Sequence, residues 1–210
     1  MGRVLCLGAH SDDIEIGCGA TVLALRDHLP DLALDWVVLS AVGARRDEAQ
    51  ASAERFAGSV ALELRVEAFR ERYFPHQPEI KEYFDQLGRG PRPDLVLVPR
   101  PDDAHQDHRV VAELARNTYR NELILHYEIP KYDGDLRPPN VFVPATERHV
   151  AEKVDLILTG FPSQQDRAWF DRRTFEGLMR IRGVECNAPS GFAEAFHASK
   201  IVFQPRMEDL

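Results

Sequence analysis

Two short stretches crowd imidazoles and carboxylates together. Residues 9 to 15 read AHSDDIE, placing His10, Asp12 and Asp13 within four positions, and residues 102 to 109 read DDAHQDHR, placing His105, Asp107 and His108 within another four. Acids and imidazoles in such numbers are costly to bury unless a positive charge sits among them. Neutral imidazole nitrogen and carboxylate oxygen are donor types of a zinc site, which in its catalytic form has three protein ligands and one open position. On this reading His10 and Asp13 supply two ligands from one turn, and His108, at the start of a helix, supplies the third. Asp12 faces the open position, where it takes a proton from water. His105 reaches the other side of the substrate, with Asp107 or a neighbour orienting its ring. The competing reading is plain helix capping, since Asp12, Asp13, Asp103 and Asp107 all stand near helix starts, where acids satisfy free amides.

Convergence requires the chain to bring both segments to one edge. Each cluster follows an apolar run: VLCL at residues 4 to 7 for the first, and PDLVLVP at 93 to 99 for the second. The second run is short, nearly all apolar and bounded by prolines, the pattern of a strand covered on both faces. Residues 32 to 39, 60 to 66 and 123 to 127 predict further strands. Helical patterns separate them: residues 20 to 25, the Ala- and Glu-rich 47 to 56, Ile80 with Phe84 and Leu87, and Val110 with Val111 and Leu114. Strands alternating with helices predict an α/β fold with right-handed crossovers and a mostly parallel sheet flanked by helices. After Pro138-Pro139-Asn140 and VFVP the chain reads as mainly helical. Ligands of open parallel sheets bind beyond the carboxyl ends of the strands, so both clusters are expected there.

Bulk properties narrow the function classes. A chain of 210 residues, 44% hydrophobic and 29% charged, suits one domain over residues 1 to 210. A formal net charge of -8 argues against general binding of nucleic acid or anionic membranes, which needs a basic excess. Three cysteines make no secreted disulfide framework, and no apolar run reaches membrane-spanning length. The opening MGRVLCLGAH is too short in apolar residues for a signal peptide, so a cytoplasmic location is expected.

AHSDDIEIG and DDAHQDHR together resemble the two metal-site motifs of the PIG-L/LmbE family of metal-dependent de-N-acetylases, A-H-P-D-D-x-E and H-x-D-H. Ser11 stands where the family has proline. RRDEAQASAERF is similar to a family helix, matching Arg45 and Glu48, and YEIPKYDGDLRPPNVFV and RGVECNAPSGFAEAF look like its later segments. The family's Asp-Gly after the third strand has no counterpart in FRERYF at 69 to 74, and FPSQ puts Phe161 at a position where His is common. The resemblance implies a Rossmann-like fold and one divalent metal, usually zinc, with iron or another divalent ion as alternatives. It implies hydrolysis of the N-acetyl group of a small amino sugar or glycoconjugate. His10, Asp13 and His108 match the ligands, Asp12 the general base, and His105 the residue that stabilises the tetrahedral intermediate or protonates the leaving amine. Arg45 matches a substrate contact.

Several residues carry weaker claims. Glu15 caps or orients, Glu48 pairs with Arg45 or the backbone, Glu128 faces the site by its place after a strand, and His197 is either a substrate contact or structural. Trp169, Phe170 and Phe175 read first as core or homo-oligomer packing and second as a sugar-binding rim. Gly17-Cys18-Gly19 resembles a phosphate cradle faintly and lacks the lysine of a P-loop. Two readings compete with the N-deacetylase: an amidohydrolase for another acylated amine, and a sugar- or nucleotide-binding module without catalysis. Metal content separates the enzymes from the binder.

Overall fold

One seven-stranded sheet organises residues 2–202, the part of the chain that the computed structural model describes. In chain order the elements are β1 (Arg3–His10), α1 (Asp13–His28), β2 (Ala33–Ser40), α2 (Ala44–Ala57), β3 (Ala61–Val66), α3 (Pro78–Leu87), β4 (Leu95–Pro99), α4 (Gln106–Thr118), β5 (Leu123–Tyr127), β6 (Val141–Pro144), α5 (Glu147–Gly160), α6 (Arg172–Glu185) and β7 (Ala193–His197). Single helical turns at Phe74–His76 and Pro162–Gln164 interrupt two of the connections.

The strand order is β3-β2-β1-β4-β5-β7-β6. The first five strands in the chain are parallel, and β7 runs antiparallel to both β5 and β6. From β1 the chain steps outward through β2 and β3, then returns to the other side of β1 for β4 and β5. The direction of winding therefore reverses between β1 and β4. Such a reversal leaves a crevice beyond the strand ends, because the two connections leave toward opposite faces. Both polar clusters flank that crevice.

Burial explains why these residues form these strands. All of β4 is buried, and β1 is buried from Val4 onward. Alternate residues of β1 serve opposite faces: Val4 and Cys6 join a core with Trp36, Phe56, Val154 and Phe196, while Leu5, Leu7 and Ala9 join one with Phe74, Phe84, Val98 and Val111. Edge strand β3 is mostly exposed or half-buried, which accounts for its weak apolar signal. No helix among the described residues is long and apolar enough to cross a membrane.

The structure departs from the sequence expectation in three places. β1 continues through Gly8 and Ala9, so His10 is its last residue rather than a loop residue after it. α1 begins at Asp13, ahead of the apolar periodicity that starts near residue 20. AEAFH, expected as helix, is strand β7; its first four residues are buried, and pairing with β5 and β6 overrides the helix preference of Ala and Glu.

Candidate metal centre

The two loops are tied down by their own polar groups before any ligand is considered. The His10 N–H donates to Asp13 Oδ2 at 2.8 Å, folding that carboxylate back over the end of β1. In the second loop Asp103 Oδ1 accepts from the His105 N–H at 2.7 Å. The His105 ring caps α4, its Nδ1 accepting from the Asp107 N–H at 3.2 Å. Capping therefore accounts for part of the second cluster. It does not account for the first: Asp12, the residue preceding α1, makes no side-chain capping bond, although it is buried.

Three atoms converge between the loops. His10 Nδ1 lies 3.2 Å from His108 Nε2 and 3.5 Å from Asp13 Oδ2, and His108 Nε2 lies 3.3 Å from that same oxygen. Ligands about 2.0–2.1 Å from a tetrahedral zinc are roughly 3.3–3.4 Å apart, so the triangle fits such an ion. Each imidazole turns its other nitrogen to a carboxylate: His10 Nε2 is 3.4 Å from Asp107 Oδ2, and His108 Nδ1 is 3.0 Å from Asp103 Oδ2. A carboxylate behind the ring is the usual way a metal-ligating histidine is held in one tautomer. With their outer nitrogens beside carboxylates, the two rings bring their remaining nitrogens to 3.2 Å from each other, and as neutral imidazoles they would offer both lone pairs to a cation.

His105 also lies close. One ring nitrogen from each of His10, His105 and His108 falls within 4.8 Å of the others, so a three-histidine set is geometrically open. Its chemistry is less favourable. Nδ1 of His105 already accepts a backbone N–H, which places the proton of the neutral ring on Nε2 and leaves no free lone pair for a metal.

The electrostatics carry the same demand for positive charge. Against burial, the charge of Asp13 and a contact with Asp107 push His10 up to about 10. Also against burial, Asp13 and Asp103 raise His108, while the charges of His108 and His10 hold Asp13 well below the usual carboxylate range. Burial and the neighbouring Asp13 push Asp12 up to about 6, against the pull of Arg45. Burial and the charges of His10 and His108 lower His105, keeping it neutral near pH 7. Burial pushes Glu15 up to about 8, and neither of its oxygens has a hydrogen-bond partner.

Around the cluster is a cavity of about 200 Å³. Arg45 reaches it from α2, donating to Ser11 Oγ at 3.1 Å and to Glu71 at 3.2 Å, with Nη2 3.7 Å from Asp12 Oδ1. Ser11, the departure from the family's proline, thus provides an acceptor for Arg45. Lys131, Tyr132, Gln164, Arg167 and Trp169 complete the wall. Of the three aromatics weighed as a rim, Trp169 lines the cavity, while Phe170 and Phe175 are buried in the core.

The structure brings His10, Asp12, Asp13, Arg45, His105 and His108 to this one cavity, with Asp107 behind His10. Asp107 meets the His105 ring through its backbone N–H, while its carboxylate backs His10, because the backbone N–H groups of Arg72 (2.5 Å) and Phe74 (3.3 Å) turn it that way. Arg72 adopts a left-handed backbone (φ 67°) to present its N–H, an uncommon conformation for a residue other than glycine. Glu48 does not pair with Arg45; it accepts from the N–H and hydroxyl of Ser163, anchoring the turn that carries Gln164. Glu128 turns away from the cavity and binds Arg182 through two hydrogen bonds of 2.7 and 2.9 Å. His197 pairs with His126 across the β5–β7 register, away from the cluster. Gly17-Cys18-Gly19 is not a phosphate cradle: a side chain at Gly17 would meet the Tyr127 ring at 2.1 Å. Asp103 and Lys131 are partners of the site that the sequence pattern does not single out. Lys131 Nζ lies 3.0 Å from Asp103, the carboxylate behind His108.

A family model described as PIG-L, GlcNAc-PI de-N-acetylase, matches residues 5–119, a span that contains both loops. The conserved protein TT1542 from Thermus thermophilus shares the fold at 20% identity over the whole of both chains, with a TM-score of 0.78. N,N'-diacetylchitobiose deacetylase from Pyrococcus horikoshii is 20% identical over 94% of this chain and 83% of its own, with a TM-score of 0.70. GalB, the 4-carboxy-2-hydroxymuconate hydratase from Pseudomonas putida, is 16% identical over 99% of this chain and all of its own, with a TM-score of 0.72. A deacetylase and a hydratase share this architecture, so the fold alone does not choose the reaction.

Proposed function

The chain belongs to the PIG-L family and is a hydrolytic N-deacetylase, and from that premise we propose that its reaction depends on one divalent metal and that its substrate is a small N-acetylated amino sugar or glycoconjugate. The observation that carries the metal is the triangle of His10 Nδ1, His108 Nε2 and Asp13 Oδ2, with sides of 3.2, 3.3 and 3.5 Å. Zinc suits these donors, and iron or another divalent ion accepts the same nitrogen and oxygen ligands. When bound, the ion would polarise the amide carbonyl and make water a stronger acid.

The chain's own groups do the rest. Asp12 is buried beside the cluster and carries no capping bond, so its oxygens are available to take the proton of the attacking water. A carboxyl pushed up to about 6 is ionised near pH 7 yet basic enough for that role. Neutral His105, its Nδ1 held by the Asp107 amide, presents Nε2–H as a donor for the developing oxyanion or the departing amine. Arg45 holds Asp12 and Ser11 from one side and offers donors to substrate hydroxyls from the other. Trp169 and Tyr132 give the cavity apolar faces of the kind a sugar ring packs on.

The test is a panel of N-acetylated sugars and N-acylated non-sugar amines, scored for released acetate and free amine with zinc-loaded and chelator-stripped protein. Acetate from amino sugars, lost on stripping and restored by metal, is the expected result. Full activity without metal overturns the metal; turnover confined to the non-sugar amines moves the substrate class. Metal-dependent sugar binding without acetate release would leave a binding module in place of the enzyme.

A further inference from the structure

α1 is not one continuous helix. At Cys18 the backbone leaves helical geometry (φ -144°, ψ 18°), separating a first segment that carries Asp13, Glu15 and Ile16 from the longer segment that follows. A break in the core releases peptide groups that no water reaches, and buried N–H and C=O groups need partners. Two charged side chains from the far end of the chain supply them. Lys153 Nζ, from α5, donates to the Ile16 carbonyl at 2.7 Å. Glu194, from β7, accepts from the Ala20 N–H at 2.9 Å, the Thr21 N–H at 2.7 Å and the Thr21 hydroxyl at 2.6 Å. The two side chains meet at 2.6 Å, each 3% exposed. The flanking glycines let the break lie close against its neighbours, Gly17 under the Tyr127 ring and Gly19 beside Phe56 and Lys153.

A buried ion pair is a poor device for stability alone, since apolar residues of similar volume often do as well. This pair is different in what it holds: its charges reach backbone groups on both sides of one break. The segment ahead of the break is little more than one turn, too short to keep its own direction. Its ends are β1 on one side and the Lys153–Glu194 clasp on the other. On it sits Asp13, whose Oδ2 must face His10 and His108 together. We propose that Lys153 and Glu194 are positioning residues: by fixing the break in α1 they aim the Asp13 carboxylate into the metal triangle. The proposal rests on the metal reading above. Both residues lie beyond the span 5–119 matched by the family model, so the C-terminal part of the chain would set the ligand geometry of the N-terminal part.

Zinc affinity, measured by competition with a chromophoric chelator on protein shown to be folded by near-UV circular dichroism, tests this. Glu194→Gln keeps shape and an acceptor oxygen but loses the charge, and Lys153→Met removes the donor. Arg182→Met breaks a buried pair away from the cluster, with Glu128, and serves as the control for a merely structural defect. Residues that orient metal ligands typically account for about 10–100-fold in affinity, so Glu194→Gln and Lys153→Met should weaken zinc binding by about tenfold or more, while Arg182→Met keeps the wild-type Kd. Should Lys153→Met fail to fold, Glu194→Gln decides. A folded Glu194→Gln with wild-type zinc affinity overturns the proposal, as does an equal loss in Arg182→Met. Wild-type protein that binds no zinc overturns the metal reading itself, and is told apart by failing before any substitution is made.

Discussion

Glu128 and Arg182 are deeply buried and hold each other through two hydrogen bonds, whereas Asp12 and Asp13, no more exposed, lie side by side beneath two imidazoles whose nitrogens face each other. Lys153 and Glu194 follow the first pattern: each charge meets its opposite and the remaining bonds go to backbone and the Thr21 hydroxyl. At the ends of β1 and β4 the imidazoles meet carboxylates, but like groups crowd one another as well. Burial and Asp13 raise Asp12, the acids raise His10, and Glu15 remains without a partner. Natural chains break local rules of this kind where function demands it. The difference points to where chemistry belongs: satisfied clusters hold the sheet and helices, and the crowded one has the donor types that the proposed cation and substrate need.

Substitutions should therefore have opposite signs in the two kinds of cluster. Asp12→Asn keeps shape but cannot take a proton, so kcat should fall about 10²–10⁴-fold with zinc content unchanged. The same change should raise the Tm of metal-free protein, because a carboxyl raised to about 6 destabilises the folded state once the unfolded chain ionises. That gain should be absent below about pH 4, grow up to about pH 6 and stay level above it. A Tm that falls on Asp12→Asn would break the comparison. Arg182→Met should do the reverse, lowering stability by about 3 kcal/mol in a urea titration by stranding Glu128, with kcat unchanged.

Smaller effects sharpen the boundary between the two. Arg45→Ala should raise KM by about tenfold, the worth of one hydrogen bond to a charged group, with a lesser change in kcat. A fall in kcat at constant KM would instead make Arg45 part of the proton-transfer apparatus through Asp12. Asp27 lies outside the site, where Arg148, His149 and Arg26 hold its carboxyl below the usual range. Its depressed value means the contribution is present above the ordinary carboxylate pKa and lost as pH falls. Asp27→Asn should thus cost about 1 kcal/mol or less near pH 7, and its Tm should merge with wild type in acid.

The readable part of the molecule is the part whose residues have a single purpose. β4 and β1 announce themselves because strands covered on both faces need unbroken apolar runs. His10, Asp12, Asp13, His105 and His108 stand out because nothing structural needs so many ionisable groups so close. The residues that stay hidden are dual-purpose or remote. One oxygen of Asp103 caps the His105 amide while the other backs His108, so capping alone is enough to explain its place in the sequence. Sequence proximity pairs Asp107 with His105, which holds for its backbone N–H but not for its carboxylate, whose direction is set by backbone amides of 72 and 74, in a segment with no motif. β7 is built of helix-forming residues that only pairing with β5 and β6 turns into strand. Lys153 and Glu194 meet only after that strand is in place.

In the proposed centre His10, Asp13 and His108 hold the ion while His105, three positions from His108, works beside it. Zinc per chain, measured by elemental analysis after equal loading of wild type, His105→Ala and His108→Ala, tests that division most directly, with circular dichroism confirming the fold of each. About one zinc is expected in wild type and in His105→Ala, the latter slowed in turnover by about 10²–10⁴-fold, with a large loss of zinc in His108→Ala. Loss of zinc from His105→Ala with retention in His108→Ala would contradict the assignment and reverse the two roles; loss from both would make the centre a three-histidine site.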